Sequence, residues 1–329
     1  MSFEDLLREI KKKAKIVDEY ILNNLKIKIK DLHEASQHLI KAGGKRLRPF
    51  LVITTYNIFR DDLERVIPIA AAVEIFHTFT LIHDDIMDQD ELRRGVPTVH
   101  KIWGVPFAIL TGDLLHAKTF ELLSKTDLSP EQTVKIIKEM AESAVIICEG
   151  QAMDMAFEKR MDVSIDEYME MIRKKTAFLF RSSVRFGAIA AGVSSDELNS
   201  LTKYGDNLGI AFQMVDDILG LFGEEKETGK PVGSDVRESK KTYPILYALQ
   251  HASEDEKNRL QEILLKETKS EEEILEAIQI IRKSGGEKAT RELARKYAQN
   301  AIDAIQKLPD NVAKKYLIQL AEFAIERSY

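Results

Sequence analysis

The chain has 329 residues, a net charge of −6 and a pI near 5.8. It therefore lacks the basic character that would point to nucleic acid as a partner. A single cysteine, Cys148, excludes an intrachain disulfide and gives no sign of an oxidising compartment. Hydrophobic residues make up 44% of the chain, enough for one or two large cores. Only 16 glycines and 8 prolines are present, well below the usual combined share of about 12%, so long helices are expected.

The N-terminus, Met1-Ser2-Phe3-Glu4-Asp5, is acidic and lacks a signal-peptide core. No apolar run approaches the roughly 18 residues that span a bilayer, so a cytoplasmic protein without a transmembrane segment is expected. Residues 3 to 40 carry Phe3, Leu6, Leu7, Ile10, Ile16, Val17, Tyr20 and Ile21 at helical spacing, with the lysines expected outward. Gly43-Gly44-Lys45-Arg46-Leu47-Arg48-Pro49 follows. Its glycines free the backbone, Pro49 suits a helix start, and three cations in four residues suit an anion.

Residues 50–59 and 66–88 read as two buried helices. The second ends in Leu81-Ile82-His83-Asp84-Asp85-Ile86-Met87-Asp88. Asp84 and Asp88 lie one turn apart on the same face, while Asp85 points about 100° away. Such carboxylates repel one another unless a cation lies between them. Arg93 and Arg94 follow at once, before Gly95 and Pro97-Thr98. Carboxylates hold hard Mg²⁺ and guanidinium forks bind phosphate oxygens, so this order suits a metal–diphosphate clamp.

A helix over 106–124 should turn Ala108, Leu115 and Leu122 inward, with Gly112 allowing close packing. Ser129-Pro130-Glu131-Gln132 forms a capping box, and Val134, Ile137, Ala141, Ala144, Val145 and Cys148 mark the apolar face beyond it. Gln151 and Asp154 extend this helix and must pair or face a cavity. Ser164 with Glu167 caps a helix carrying Lys174-Lys175-Thr176 in its middle. A helix over 197–222 ends in the second acidic pair, Asp216-Asp217. Residues 223–242 are the longest loop-like stretch and a candidate lid, with Lys230 and Lys240 in reach of a phosphate. Ser270 with Glu273 caps a later helix, ended by Gly285-Gly286, and the charged C-terminal third reads as scaffold.

Taken in order, these motifs resemble the trans-isoprenyl diphosphate synthases, the polyprenyl synthetase family. The resemblance covers residues 40–245: the Gly43–Pro49 motif, His77 to Asp88 with Arg93-Arg94-Gly95, Gly150-Gln151 with Asp154, Lys175-Thr176, Phe212-Gln213 with Asp216-Asp217, and Gly229-Lys230 with Asp235 and Lys240. It implies an all-α bundle around a deep central cavity, a single domain over residues 1–329, and a homodimer. It assigns Lys45, Arg48, His77 and Arg94 to isopentenyl diphosphate. Arg93, Lys175, Lys230 and Lys240 go to the allylic diphosphate (dimethylallyl, geranyl or farnesyl), with Thr176 and Gln213 beside the reacting carbons. Asp84, Asp88 and Asp216 are assigned to several Mg²⁺ ions. The family's second motif often ends in a third aspartate, which here is Gly220, so the metal on that side rests on Asp216 as the direct ligand, with Asp217 a further candidate beside it, and the part of Asp235 stays open.

The implied activity is head-to-tail condensation of isopentenyl diphosphate with an allylic diphosphate. No side-chain nucleophile is needed, in keeping with the absence of Ser/His/Asp or Cys/His signatures. Phe79 and Thr80, five and four residues before Asp84, resemble the archaeal-type geranylgeranyl diphosphate synthases. Phe79 lies roughly 7.5 Å and Phe76 roughly 12 Å along the helix axis from Asp84, where either ring could close a cavity floor. A C20 product with a C15 intermediate is therefore expected. The alternatives are a farnesyl diphosphate synthase, a non-catalytic subunit of a heteromeric synthase, and a class I terpene cyclase. The last has no use for the second diphosphate site implied by Lys45, Arg48 and Arg94.

Overall fold

Helical periodicity and few breakers give the expected all-α architecture in the computed structural model, which describes residues 3–223 and 231–326. The chain divides into two compact units, residues 1–141, 182–201 and 308–317 in one, and residues 142–181, 202–307 and 318–329 in the other.

In the first unit, α1 (Phe3–Asn24), α2 (Lys30–Lys41) and α3 (Leu47–Tyr56) precede α4 (Ile67–Met87). A hairpin of β1 (Leu92–Arg93) and β2 (Val96–Pro97) leads to α5 (Val99–Trp103) and α6 (Val105–Leu123). The central helix is α4, which packs against α1, α3 and α6. Pro68 sits in its first turn, where its missing N–H costs nothing. Ile69, Val73, Ile75 and Phe76 are fully buried, each side chain worth about 1.5–3 kcal/mol. By length and composition the stretch Leu63–Met87 could cross a membrane, contrary to expectation. Its apolar window is 67% buried inside the protein, as befits a core helix.

One lysine of α1 also departs from expectation. Lys13 turns inward and is only 6% exposed. Its Nζ donates to Thr54 Oγ1 at 2.9 Å and lies 4.9 Å from the Phe50 ring centroid. Burial pushes its pKa from 10.5 down to about 8, against the pull of Glu9. Between these values the unfolded chain binds a proton that the folded chain has released, so stability rises with pH across the window. One pKa unit is worth about 1.4 kcal/mol, so the rise reaches at most about 3.5 kcal/mol. Lys13→Met should flatten it in denaturant titrations at about pH 7.5 and about pH 10. Equal slopes in the two proteins would contradict this.

The long helix α7 (Pro130–Glu158) starts at the expected cap, with Gln132 N donating to Ser129 Oγ at 3.2 Å. Its predicted inward face is wrong. Val134 and Val145 are more than 60% exposed, Ala141 and Cys148 are exposed, and Ile136, Met140 and Ile147 turn inward instead. Apolar residues occur on both sides of this helix, and periodicity alone could not choose between them.

The second unit continues with α8 (Ile165–Ile172), a π-helical turn (Arg173–Ala177), α9 (Phe178–Ala191) and α10 (Ser195–Phe222). After the short α11 (Ser234–Arg237) come α12 (Tyr243–His251), α13 (Glu254–Leu265), α14 (Glu271–Lys283), α15 (Gly286–Ala304) and α16 (Val312–Glu326). Helices α7, α9, α10 and α16 each have residues in both units. The second core gathers Tyr168, Met214, Val215, Ile245, Leu260 and Ile281. Ser164–Glu167 and Ser270–Glu273 form the predicted capping boxes.

Candidate active site

The first acidic motif occupies the last turns of α4. Asp84 and Asp88 are half-buried, and Asp88 N donates to Asp84 O at 2.8 Å. Asp85, pointing elsewhere as predicted, is fully buried and takes Arg93 Nε at 2.7 Å. Burial raises the Asp85 pKa, and the Arg93 guanidinium opposes that rise. Arg93 Nη2 also donates to Asp90 Oδ2 at 3.1 Å. Arg94 and Gly95 form the two-residue hairpin turn with φ of 56° and 77°, the left-handed pair that a tight hairpin needs.

The three neighbouring cations of Lys45-Arg46-Leu47-Arg48 have three different fates. Lys45 is exposed. Arg46, at φ 49°, turns inward, and its side chain is completely buried. It donates to Asp18 Oδ1 (2.7 Å), Glu74 Oε1 (2.8 Å), Ile40 O (2.7 Å) and Gly43 O (3.0 Å). Arg48 Nη1 lies 3.1 Å from His77 Nε2. A guanidinium only donates, so Nε2 is the acceptor and the proton sits on Nδ1. Burial, then Arg48 and Arg94, hold the His77 pKa well below its ordinary value, which fits this neutral tautomer. Arg94 Nη1 donates to Leu39 O at 2.9 Å and makes a short bond to Gly43 O.

Rings gather along the same helix. Phe79 packs edge-on against Phe76 (centroids 5.0 Å) and His83 (5.5 Å), and is tilted against His116 (5.0 Å). Thr80 Oγ1 donates to His77 O at 2.8 Å. Gly112 of α6 leaves room for the His83 ring, which a Cβ there would strike. His83 and His116 were not singled out from the sequence; the small residue opposite a histidine in the acidic motif was the available signal.

In the second unit, Asp216 is half-buried near the end of α10. Its neighbour Asp217 corrects the idea of a metal-facing pair. It is buried, accepts a short hydrogen bond from the Tyr168 hydroxyl, and takes Gln213 Nε2 at 3.0 Å. Burial pushes its pKa up to about 7 despite these donors. Gln213 in turn accepts from Thr176 Oγ1 at 2.8 Å, so these two predicted residues meet. Thr176 and Lys175 lie on the π-helical turn rather than a regular helix. The Lys175 ammonium pairs with Asp154 at 2.5 Å. Gln151 is 7% exposed, and neither atom of its amide has a hydrogen-bond partner among the described residues, as in a group left for substrate or water.

The Gly220 departure finds a structural answer. A Cβ at Gly220 would come within 2.6 Å of both carboxylate oxygens of Asp235. Asp235 thus occupies the space a side chain at position 220 would enter. Lys240 pairs with Glu238 at 2.8 Å, and its pKa is raised by the Glu238 and Asp235 carboxylates in spite of burial. Lys230 lies outside the described residues.

The model of the polyprenyl synthetase family matches residues 29–281. The chain belongs to this family. It is a prenyltransferase, of the family that condenses isopentenyl diphosphate with allylic diphosphates. It is 47% identical to the geranylgeranyl diphosphate synthase of Saccharolobus solfataricus, over 99% of each chain. It is 42% identical to the geranylfarnesyl diphosphate synthase of Aeropyrum pernix, over 95% of this chain and 99% of that one. The crystal structure of geranylgeranyl pyrophosphate synthetase from Pyrococcus horikoshii superposes with a TM-score of 0.93 at 41% identity, covering 98% of this chain and 99% of that one. Polyprenyl synthetases use divalent metal ions.

Proposed function

We propose that this prenyltransferase makes geranylgeranyl diphosphate (C20) through a farnesyl (C15) intermediate, as one Mg²⁺-dependent catalytic domain over residues 1–329. One observation carries the two-diphosphate site. Between Glu74 and Asp85, α4 engages three arginines besides the fully committed Arg46: Arg94 at Glu74, Arg48 at His77 and Arg93 at Asp85. So much positive charge beside an acidic helix end suits anionic substrates carried with a cation.

Mg²⁺ takes one or two carboxylates together with substrate phosphates rather than an all-protein cage. Asp84 and Asp88, a turn apart and half-buried, and Asp216 supply hard oxygen donors of that kind. Among the described residues no three acidic, His or Cys side chains converge into such a cage. The donor set fits the ion. Asp84 and Asp88 at the end of α4 would hold Mg²⁺ ions, as would Asp216 near the end of α10, where Asp235, standing in for a side chain at 220, would supply the missing carboxylate. When bound, the metal neutralises charge on the departing diphosphate.

Arg93, Lys175, Lys230 and Lys240 bind the allylic diphosphate, and Lys45, Arg48, His77 and Arg94 bind isopentenyl diphosphate. The allylic C–O bond breaks with its electron pair leaving on diphosphate. Thr176 and Gln213, joined by their hydrogen bond, orient the carbons that react, and apolar walls keep water from the allylic cation. The double bond of isopentenyl diphosphate forms the new C–C bond, and the released diphosphate takes the proton lost beside it. Arg48→Ala should raise KM for isopentenyl diphosphate more than for the allylic substrate, and Arg93→Ala the reverse. Equal effects of both variants on both substrates would refute two separate sites.

Phe79, wedged among Phe76, His83 and His116, is the ring we assign to the cavity floor. Phe79→Ala should lengthen the product by one or more C5 units, and Thr80→Phe should shorten it. Chromatography of the dephosphorylated alcohols checks both, and unchanged lengths would move the floor elsewhere. Ile102, Val105, Ile109 and Leu110 on α5 and α6 are 43–49% exposed, and such apolar clustering supports a homodimer, which we place in the cytoplasm.

A further inference from the structure

Glu74 belongs to neither the acidic motif nor the basic loop, yet it lies where the arginines meet. It is 2% exposed, on the buried part of α4. Its Oε1 accepts from Arg46 Nη1 at 2.8 Å and lies 3.8 Å from Arg94 Nη2. Arg46 is committed on all three nitrogens, to Asp18, Glu74 and the carbonyls of Ile40 and Gly43, so it serves the fold of the loop. The same loop runs close against both guanidinium groups. A Cβ on Gly44 (φ +144°) would come within 2.8 Å of Arg94 Cζ and 2.9 Å of Arg46 Nη1. Arg94 is therefore held through Nη1 by the carbonyls of Leu39 and Gly43, with its Nη2 beside the Glu74 carboxylate. A fork that grips a diphosphate needs a fixed plane, and like charges this close need an anion between them.

We propose that Glu74 is a positioning residue for isopentenyl diphosphate, tying the Gly43–Arg48 loop through Arg46 and setting the guanidinium plane of Arg94. Glu74 itself does not touch the substrate. The proposal rests on the assignment of Arg48, His77 and Arg94 to isopentenyl diphosphate, and the test separates the two.

Initial-rate kinetics with both substrates, together with the rise in melting temperature on adding isopentenyl diphosphate alone, would be measured for four variants. Glu74→Gln should raise KM for isopentenyl diphosphate about tenfold, leave KM for the allylic substrate within about twofold, and shrink the melting shift. Glu74→Asp, which keeps the charge one methylene shorter, should show a smaller split in the same direction, and it carries the comparison if Glu74→Gln does not fold. Asp18→Asn removes Arg46's other carboxylate partner, so it should lower the melting temperature and leave both constants alone. Arg94→Ala should raise the constant for isopentenyl diphosphate. If it does and the Glu74 variants behave like Asp18→Asn, the positioning role is overturned while the substrate site stands. If Arg94→Ala leaves that constant unchanged, the substrate assignment falls and the proposal with it.

Discussion

Asp84→Ala and Asp216→Ala should each lower kcat by about a thousandfold, the several kcal/mol a bound cation supplies to a departing anion. The fold should persist in both. Asp84 and Asp88 lie at the half-buried end of α4, and Asp216 is half-buried near the end of α10, so removing any one relieves like-charge repulsion without opening a core cavity. Steady-state rates at saturating substrates, with circular dichroism alongside, decide the matter. Near wild-type turnover in either variant would strike that residue from the metal set. Asp217→Ala should behave differently, losing stability as well as activity. It would strand the buried Tyr168 hydroxyl and free the amide of Gln213.

The second large effect concerns stability. Arg46→Ala should cost about 3–5 kcal/mol, because it leaves the Glu74 carboxylate buried with its shortest partner gone. It also releases the carbonyls of Ile40 and Gly43. Lys45→Ala, one residue away at an exposed position, should change stability by less than about 0.5 kcal/mol. Urea unfolding of the two variants checks the contrast, and a similar midpoint for both would mean that the buried network adds little. Combining Arg46→Met with Glu74→Gln should cost less than the sum of the single changes, since the two residues share one interaction.

The sequence shows Lys45, Arg46 and Arg48 as equivalent cations. Their separation into an exposed lysine, a buried staple and a histidine partner depends on the left-handed backbone at Arg46, which no local pattern announces. The helical capping boxes at Ser129, Ser164 and Ser270 were legible because both partners lie within four residues. The acidic ends of α4 and α10 were legible for the same reason, since helical spacing alone puts Asp84 and Asp88 together. Long-range choices were not legible. The inward turn of Lys13 depends on Thr54 and Phe50, the inward turn of Asp217 depends on Tyr168, and the burial of one α7 face over the other depends on neighbours far along the chain. Gly220 read as a loss, and only the fold shows the Asp235 carboxylate filling that space.

The most direct measurement is to incubate the protein with isopentenyl diphosphate, dimethylallyl diphosphate and Mg²⁺, dephosphorylate the products and separate the alcohols by chain length. The expected result is Mg²⁺-dependent formation of the C20 alcohol, with the C15 alcohol appearing first and then falling. Diphosphate released without chain growth, or no Mg²⁺-dependent product at all, would contradict two cooperating diphosphate sites.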